Sequence, residues 1–222
     1  MSLADAYERV MGTRVLAFPK ATYERSDLEV FVTGDVIPEA RESWLVPCRH
    51  VANPPATQER LVWMGQELGT RVPEELGQFL RLADGAKLFC VHSIRDGAPV
   101  PTPSRMRYPI LSTSEIVELN KELWDSFRGM LGADPDFCHV TALNYVAFCD
   151  AHDGNYLAII VDEPRVGQVF YLDHELLFRP FSEHAFDREF YHVVAPSFAA
   201  WLELLADTNG WNGFGPVYPP RF

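Results

Sequence analysis

The chain has 222 residues, 47% of them hydrophobic, which is enough to bury one substantial core. No apolar run approaches the roughly 20 residues that span a bilayer, and the N-terminus lacks the basic and apolar parts of a signal peptide, so we expect a cytoplasmic protein without a membrane partner. The formal net charge is −12, and residues 134–207 hold thirteen acidic and three basic residues, which argues against nucleic acid as a partner and favours a basic protein.

Residues 1–56 are predicted to form an N-terminal extension that packs on the main domain. Short β-like runs lie at residues 14–18 and 28–33, and the five aromatic residues of the segment are too many for a free tail. Prolines recur between residues 46 and 55, and we expect no regular structure there.

Two short helices are predicted between residues 57 and 88. The second begins at Pro73, carries acids in its first turn and is followed by Gly85, an asymmetry typical of a real helix. Its apolar residues recur at i, i+3, i+4 and i+7 and must be buried: Leu76, Phe79, Leu80 and Ala83. Beyond them, the proline-rich residues 96–109 are expected to form a long surface loop.

The remaining elements are one helix, three strands and a last helix. Ser112 and Glu115 form a capping-box pattern in front of an amphipathic helix. The last helix begins at Pro196-Ser197 and places Phe198 and Trp201 on one face. The connections between the strands are too short for parallel crossovers, so an antiparallel meander is predicted. The three strand segments are residues 141–149, 156–162 and 168–174.

These elements predict the α+β fold class, with a single domain in which an antiparallel β-sheet is flanked by helices. The domain is predicted to cover residues 57–207. Residues 208–222 form a tail that is rich in aromatic residues, glycine and proline, and it cannot be helical.

The order of these elements and their local residues resemble the SUKH superfamily, which includes bacterial toxin-immunity proteins and fungal cell-wall regulators of the Smi/Knr type. The resemblance rests on the helix pair with its Ala-Asp-Gly exit, the acidic hairpin near residues 149–156, the strand that opens at residue 167 and the closing helix. Its motif residues are Pro73, Phe79, Leu80, Asp84, Gly85, Phe198 and Trp201. Asp84 stands where many relatives carry asparagine, and it keeps the turn chemistry.

Asp150, His152, Asp153 and Asp162 are the residues most like a metal site, because carboxylates and imidazole bind Mg, Mn or Zn. The segment misses the calcium-loop pattern, since His152 and Gly154 stand where oxygen donors are needed. A polar hairpin turn is the simpler interpretation. The sequence has no Gly-x-Ser-x-Gly elbow and no phosphate-binding glycine loop, so we predict no catalytic residue, no metal and no cofactor.

Two classes of function remain. The first is a non-catalytic protein-binding module, and the resemblance implies an immunity protein that neutralises a cognate toxin, or a regulatory adaptor. An acidic surface also serves ordinary solubility, but here it would complement a basic toxin domain such as a nuclease groove. The predicted partner-binding residues are Asp150, Asp153, Asp162, Glu163, Asp173 and Glu175. A monomer or weak dimer is expected. The alternative class is a metal-dependent hydrolase that uses the Asp/His set, or a small-molecule-binding protein.

Overall fold

The computed structural model describes residues 2–16, 18–19, 45–47, 49–90, 92–95, 98–101, 108–131, 145–151, 154–162, 164–172 and 191–208. The helices in this part of the chain are α1 (Leu3–Met11), α2 (Gln58–Leu68), α3 (Glu74–Leu80), α4 (Thr113–Leu131) and α5 (Phe198–Asp207). The strands are β1 (Arg14–Leu16), β2 (Phe18–Pro19), β3 (Leu45–Pro47), β4 (Arg49–Ala52), β5 (Ala86–Cys90), β6 (His92–Arg95), β7 (Ala98–Pro101), β8 (Tyr108–Ile110), β9 (Tyr145–Asp150), β10 (Tyr156–Ile160), β11 (Val169–Leu172) and β12 (Tyr191–Ala195). None of these helices is both long and apolar enough to cross a membrane.

A seven-stranded antiparallel sheet organises the fold, with strand order β12-β11-β10-β9-β8-β5-β4. Its middle contains the predicted meander β9-β10-β11, joined by connections too short for anything but antiparallel neighbours. Two smaller sheets stand beside it: β1 with β3, and β2 with β6 and β7. The predicted α+β class, with an antiparallel sheet flanked by helices, is confirmed.

Aromatic side chains fill one face of the main sheet. Trp201 of α5 is fully buried, and its ring meets those of Phe148 and Tyr108 edge-on, with centroids 5.3 and 5.9 Å apart. Phe79 of α3 and Phe198 of α5 lie against each other at 5.3 Å. These contacts combine burial of large apolar area with favourable ring geometry. The motif residues of α3 and α5 are therefore residues of the core.

The opposite face of the sheet is covered by α4. Leu119 and Leu123 of this helix pack on a second buried cluster that includes Tyr145 of β9 and Phe170 of β11. Neighbouring residues of a strand point in opposite directions, so successive side chains of β9 contribute to the clusters on the two faces of the sheet. α4 is thus held on the sheet by its apolar side and leaves its other side exposed.

The N-terminal segment contains a helix that the sequence analysis missed. Ser2 and Asp5 form a capping box at the start of α1. The helix packs against α5 and buries Leu3, Ala6 and Val10. The prediction of no regular structure at residues 46–55 was wrong, because β3 and β4 form there. The prolines flank β4 and do not interrupt it. The domain boundary at residue 56 stays a prediction.

Two further expectations need correction. The proposed surface loop at residues 96–109 contains β7 and β8, and β8 lies inside the main sheet between β5 and β9. Tyr108 and Ile110 are both buried, and Pro109 between them is only partly buried. A strand of three residues with a proline at its centre is too short to show this alternation in the sequence. α3 ends at Leu80, so Gly85 belongs to the turn into β5 and does not cap the helix.

The turn between α3 and β5 positions the start of α4. The Asp84 carboxylate accepts hydrogen bonds from the Thr113 backbone N–H at 2.7 Å and from the Thr113 hydroxyl at 3.2 Å. Arg60 of α2 lies 3.1 Å from the same carboxylate. An acid at this place pairs a helix N–H that lacks an intrahelical acceptor and complements the helix dipole. Gly85 has a φ of +85°, and a Cβ there would lie 2.7 Å from the Ser112 nitrogen, so a side chain does not fit.

Asn120 joins α4 to β9. Its side chain is fully buried; Oδ1 accepts a hydrogen bond from the Ala147 N–H at 2.9 Å, and Nδ2 donates to the Ala147 carbonyl at 2.8 Å. In the described part of the chain, the register of β8 on β9 is a single pair, Ile110 opposite Cys149. The Asn120 side chain therefore bonds to both backbone groups of Ala147, as a neighbouring strand would.

His50 of β4 links the N-terminal segment to the main sheet. Its Nδ1 accepts a hydrogen bond from the Phe89 backbone N–H at 3.2 Å, and its Nε2 lies 3.1 Å from the Thr13 hydroxyl. That hydroxyl donates to the Val10 carbonyl, so Nε2 carries the imidazole proton and donates to the Thr13 oxygen. Burial lowers the pKa of His50 to about 4, and the ring is neutral at pH 7.

Candidate functional site

Two of the six predicted partner-binding residues lie in the described part of the chain. Asp150 is the last residue of β9 and stands opposite Tyr156 in the sheet register. Asp162 follows β10, in a turn where its carbonyl accepts a hydrogen bond from the Arg165 N–H at 3.1 Å. Both are partly exposed. The other four, Asp153, Glu163, Asp173 and Glu175, lie outside the described residues.

Asp150 and Asp162 lie at opposite ends of the β9–β10 pair. Asp150 is next to Tyr156 at the start of β10, and Asp162 comes after the strand ends at Ile160. At about 3.3 Å per residue, the two carboxylates are separated by roughly 15–20 Å, whereas the ligands of one ion lie within about 2.6 Å of it. The metal site that would use both residues is therefore not formed, and its other members, His152 and Asp153, lie outside the described residues. Among the residues that are described, no group of three or more His, Cys, Asp or Glu is placed to hold an ion.

The exposed side of α4 carries a row of carboxylates that the sequence analysis did not single out. They follow one another at intervals of three, four and three residues, which places them on one side of the helix. All four are exposed: Glu115, Glu118, Glu122 and Asp125. The signal was present in the sequence, but the predicted acidic surface was based on the excess of acidic residues at 134–207, which does not include α4. The Glu115 carboxylate also accepts hydrogen bonds from Ser112 that lower its pKa.

Asp150 joins this row through Tyr156. Burial raises the pKa of the Tyr156 phenol, and the negative charges of Asp150 and Glu122 raise it further. A charge on the strand and a charge on the helix therefore lie close to the same side chain. Together, the residues form one surface, which we call the acidic face: Glu115, Glu118, Glu122, Asp125 and Asp150.

An open groove of about 380 Å³ lies beside the acidic face, between the last turn of α2 and the exposed side of α4. We call it the α2–α4 groove. An ion pair between Lys121 of α4 and Glu67 of α2 lies at the groove. Gly69, with a φ of +61°, ends α2 there. The residues that line the groove are Gln66, Glu67, Leu68, Gly69, Lys121, Trp124 and Asp125.

A comparison with protein families decides the identity of this fold. A family described as SMI1 / KNR4 family (SUKH-1) matches residues 55–204, which are 150 of the 222 residues. The chain belongs to the SMI1/KNR4 family (SUKH-1). No curated protein sequence matches it significantly.

The SUKH-1 match confirms the resemblance inferred from the motifs. It includes α2 to α4, most of α5 and every strand of the main sheet except β4. The acidic face and the α2–α4 groove lie entirely within the matched residues. α1 and β4 precede them, and His50 and α1 connect that earlier segment to the SUKH-1 core.

Proposed function

We propose that this SUKH-1 protein is a non-catalytic protein-binding module that acts as a bacterial immunity protein. In this proposal, the acidic face covers a basic surface of a cognate toxin domain in the cytoplasm and neutralises it. Membership of the family supports the class of function. The observation that carries the proposal for this chain is the row of exposed carboxylates on α4, which the partly exposed Asp150 of β9 adjoins through Tyr156, its register partner that packs on the same buried cluster as Leu119 and Leu123.

The chemistry of the acidic face fits a basic toxin better than it fits other partners. Nucleic acid and anionic lipid are repelled by clustered carboxylates, whereas the substrate groove of a nuclease carries positive charge because it binds phosphate. Charge complementarity mainly accelerates encounter, by a factor of about 10 to 10³ at low salt, and the effect fades as salt screens it. α4 also rests on a rigid sheet, so the carboxylates are positioned before the partner arrives.

The proposal is tested with a basic protein captured by this chain at low salt, whose toxicity is then measured in cells. The test variant carries Glu118→Gln and Glu122→Gln, in the acidic face. The control carries the same change of charge on α1 and α2, as Glu8→Gln and Glu59→Gln. We expect the test variant to associate with the toxin about tenfold more slowly at low salt and the control to associate almost as the native protein does.

Protection of cells that express the toxin is the functional readout. The native protein should protect them, and the test variant should protect them less at equal expression. A protein that captures no basic partner at low or moderate salt, or that gives no protection, would refute the proposal. Equal loss in the test and control variants would show that total charge matters and the acidic face does not.

A further inference from the structure

The α2–α4 groove combines three features that attract a cation. The last turn of α2 has no basic residue, and it contributes the negative end of the helix dipole, equivalent to about half an elementary charge. The carboxylates of Glu67 and Asp125 line the same space. The ring of Trp124 supplies an aromatic surface, which binds cations through its quadrupole.

The groove already holds one cation of the protein itself. Lys121 pairs with Glu67, and their side chains are 47% and 37% exposed. A pair that is this open to water contributes little to stability, because solvent screens it. An incoming cation can therefore replace Lys121 at Glu67 without a large cost. Lys121 would then act as an internal competitor of the ligand.

Trp124 is partly buried and packs with one side on the core, whereas Trp63 of α2 is 37% exposed and differs from it in its contacts. Trp63 of α2 already has the guanidinium of Arg60 over its ring, 5.9 Å from the ring centroid. This intramolecular contact shows the geometry that arginine and tryptophan adopt on this surface, and it occupies the ring. Trp124 instead lines a groove large enough to admit an arginine side chain. Trp63→Leu is therefore the control for loss of a nearby tryptophan, and thermal unfolding of both variants separates loss of binding from loss of the core packing of Trp124.

We propose that the α2–α4 groove binds an arginine side chain of the protein partner. The guanidinium stacks on Trp124 and pairs with Glu67, from which it displaces Lys121. Arginine fits better than lysine because its flat guanidinium stacks on an aromatic ring and forms paired hydrogen bonds with a carboxylate. This proposal rests on the proposed function, because it names the side chain of the protein partner that binds beside the acidic face.

The probes are two peptides, octa-arginine and octa-lysine, titrated into the full-length protein by calorimetry. The native protein should bind octa-arginine more tightly than octa-lysine, by about three- to tenfold if one stacked guanidinium contributes. Trp124→Leu should remove most of this preference, whereas Trp63→Leu should leave it unchanged. A preference that survives Trp124→Leu would overturn the proposal.

Two charge variants test the groove without touching its aromatic residue. Lys121→Gln should tighten octa-arginine binding about threefold, because the competitor is gone, while Arg9→Gln, which breaks the exposed Arg9–Asp207 pair between α1 and α5, makes the same change of charge and should have a smaller effect. Glu67→Gln should weaken binding more than Glu118→Gln does. Equal effects within each pair would mean diffuse attraction and would overturn the proposal. Because these experiments use peptides and no toxin, they can refute arginine binding in the groove even if the protein protects cells from a toxin. Failure of this proposal and failure of the proposed function are therefore distinguishable.

Discussion

Replacement of Asn120 by alanine should destabilise the protein far more than alanine at an exposed position of α4. The variant leaves the N–H and the carbonyl of Ala147 buried without their hydrogen bonds, and each such group costs about 1–3 kcal/mol. A small cavity adds to this cost, so we expect a loss of about 3–5 kcal/mol. That is a large part of the 5–15 kcal/mol by which a domain of this kind is typically stable.

Urea unfolding followed by circular dichroism measures this loss, as a lower midpoint with an unchanged slope. Glu118→Ala, on the exposed side of the same helix, is the control and should change stability by less than about 0.5 kcal/mol. Amide hydrogen exchange provides a local readout, because the Ala147 N–H should lose its protection before the rest of β9 does. A loss below about 1 kcal/mol for Asn120→Ala, or an equal loss in the control, would refute the reasoning.

Four other outcomes are expected. Asp84→Ala should cost about 2 kcal/mol through loss of the cap on α4, and Asp84→Asn about half as much, because an amide oxygen still accepts from the Thr113 N–H but the ion pair with Arg60 is lost; similar thermal shifts for the two would contradict this. Gly85→Ala should cost more than about 3 kcal/mol because its Cβ meets backbone, whereas Gly69→Ala, which has a positive φ in open space, should cost about 1 kcal/mol; urea midpoints give the comparison. The pKa of His50 is lowered from 6.5 to about 4 by folding, so its contribution is complete above pH 6.5 and falls as pH drops towards 4, by at most about 3 kcal/mol before screening by solvent. His50→Gln should flatten that part of the pH–stability curve, and a curve of unchanged shape would disprove the assignment. Tyr145→Phe should be neutral or slightly stabilising, because the buried hydroxyl has no hydrogen-bond partner among the described residues; a loss above about 1 kcal/mol on thermal unfolding would reveal a bond that this structure does not contain.

The elements with a clear period were predictable from the sequence. The apolar spacing of α3 and α5 and the capping box before α4 are local patterns, and the structure has a helix at each place. α1 was also readable in principle, since Ser2 and Asp5 have capping-box spacing. β8 was not readable, because three residues with a proline at the centre carry no periodic signal and its place between two other strands is a tertiary property.

The candidate site depends on contacts between distant parts of the chain, and this limited what could be predicted. Lys121 and Glu67 are 54 residues apart and meet only because α2 packs beside α4. Asp150 and Asp162 are close in sequence, yet the direction of β10 separates them. The net charge of −12 is countable from the sequence, but the arrangement of that charge depends on the positions of the helix and the hairpin.

The single register pair between β8 and β9 has a consequence for the order of folding. The strands on either side of it can each form through hairpins and other nearby contacts, which are quick to make. Bringing these strands together is the slow, long-range step, and Asn120 of α4 then adds its two hydrogen bonds to Ala147. We therefore expect docking of α4 to follow the rate-limiting step, so that Asn120→Ala accelerates unfolding and hardly slows refolding in a stopped-flow experiment. A slower refolding limb would instead place this helix in the folding nucleus.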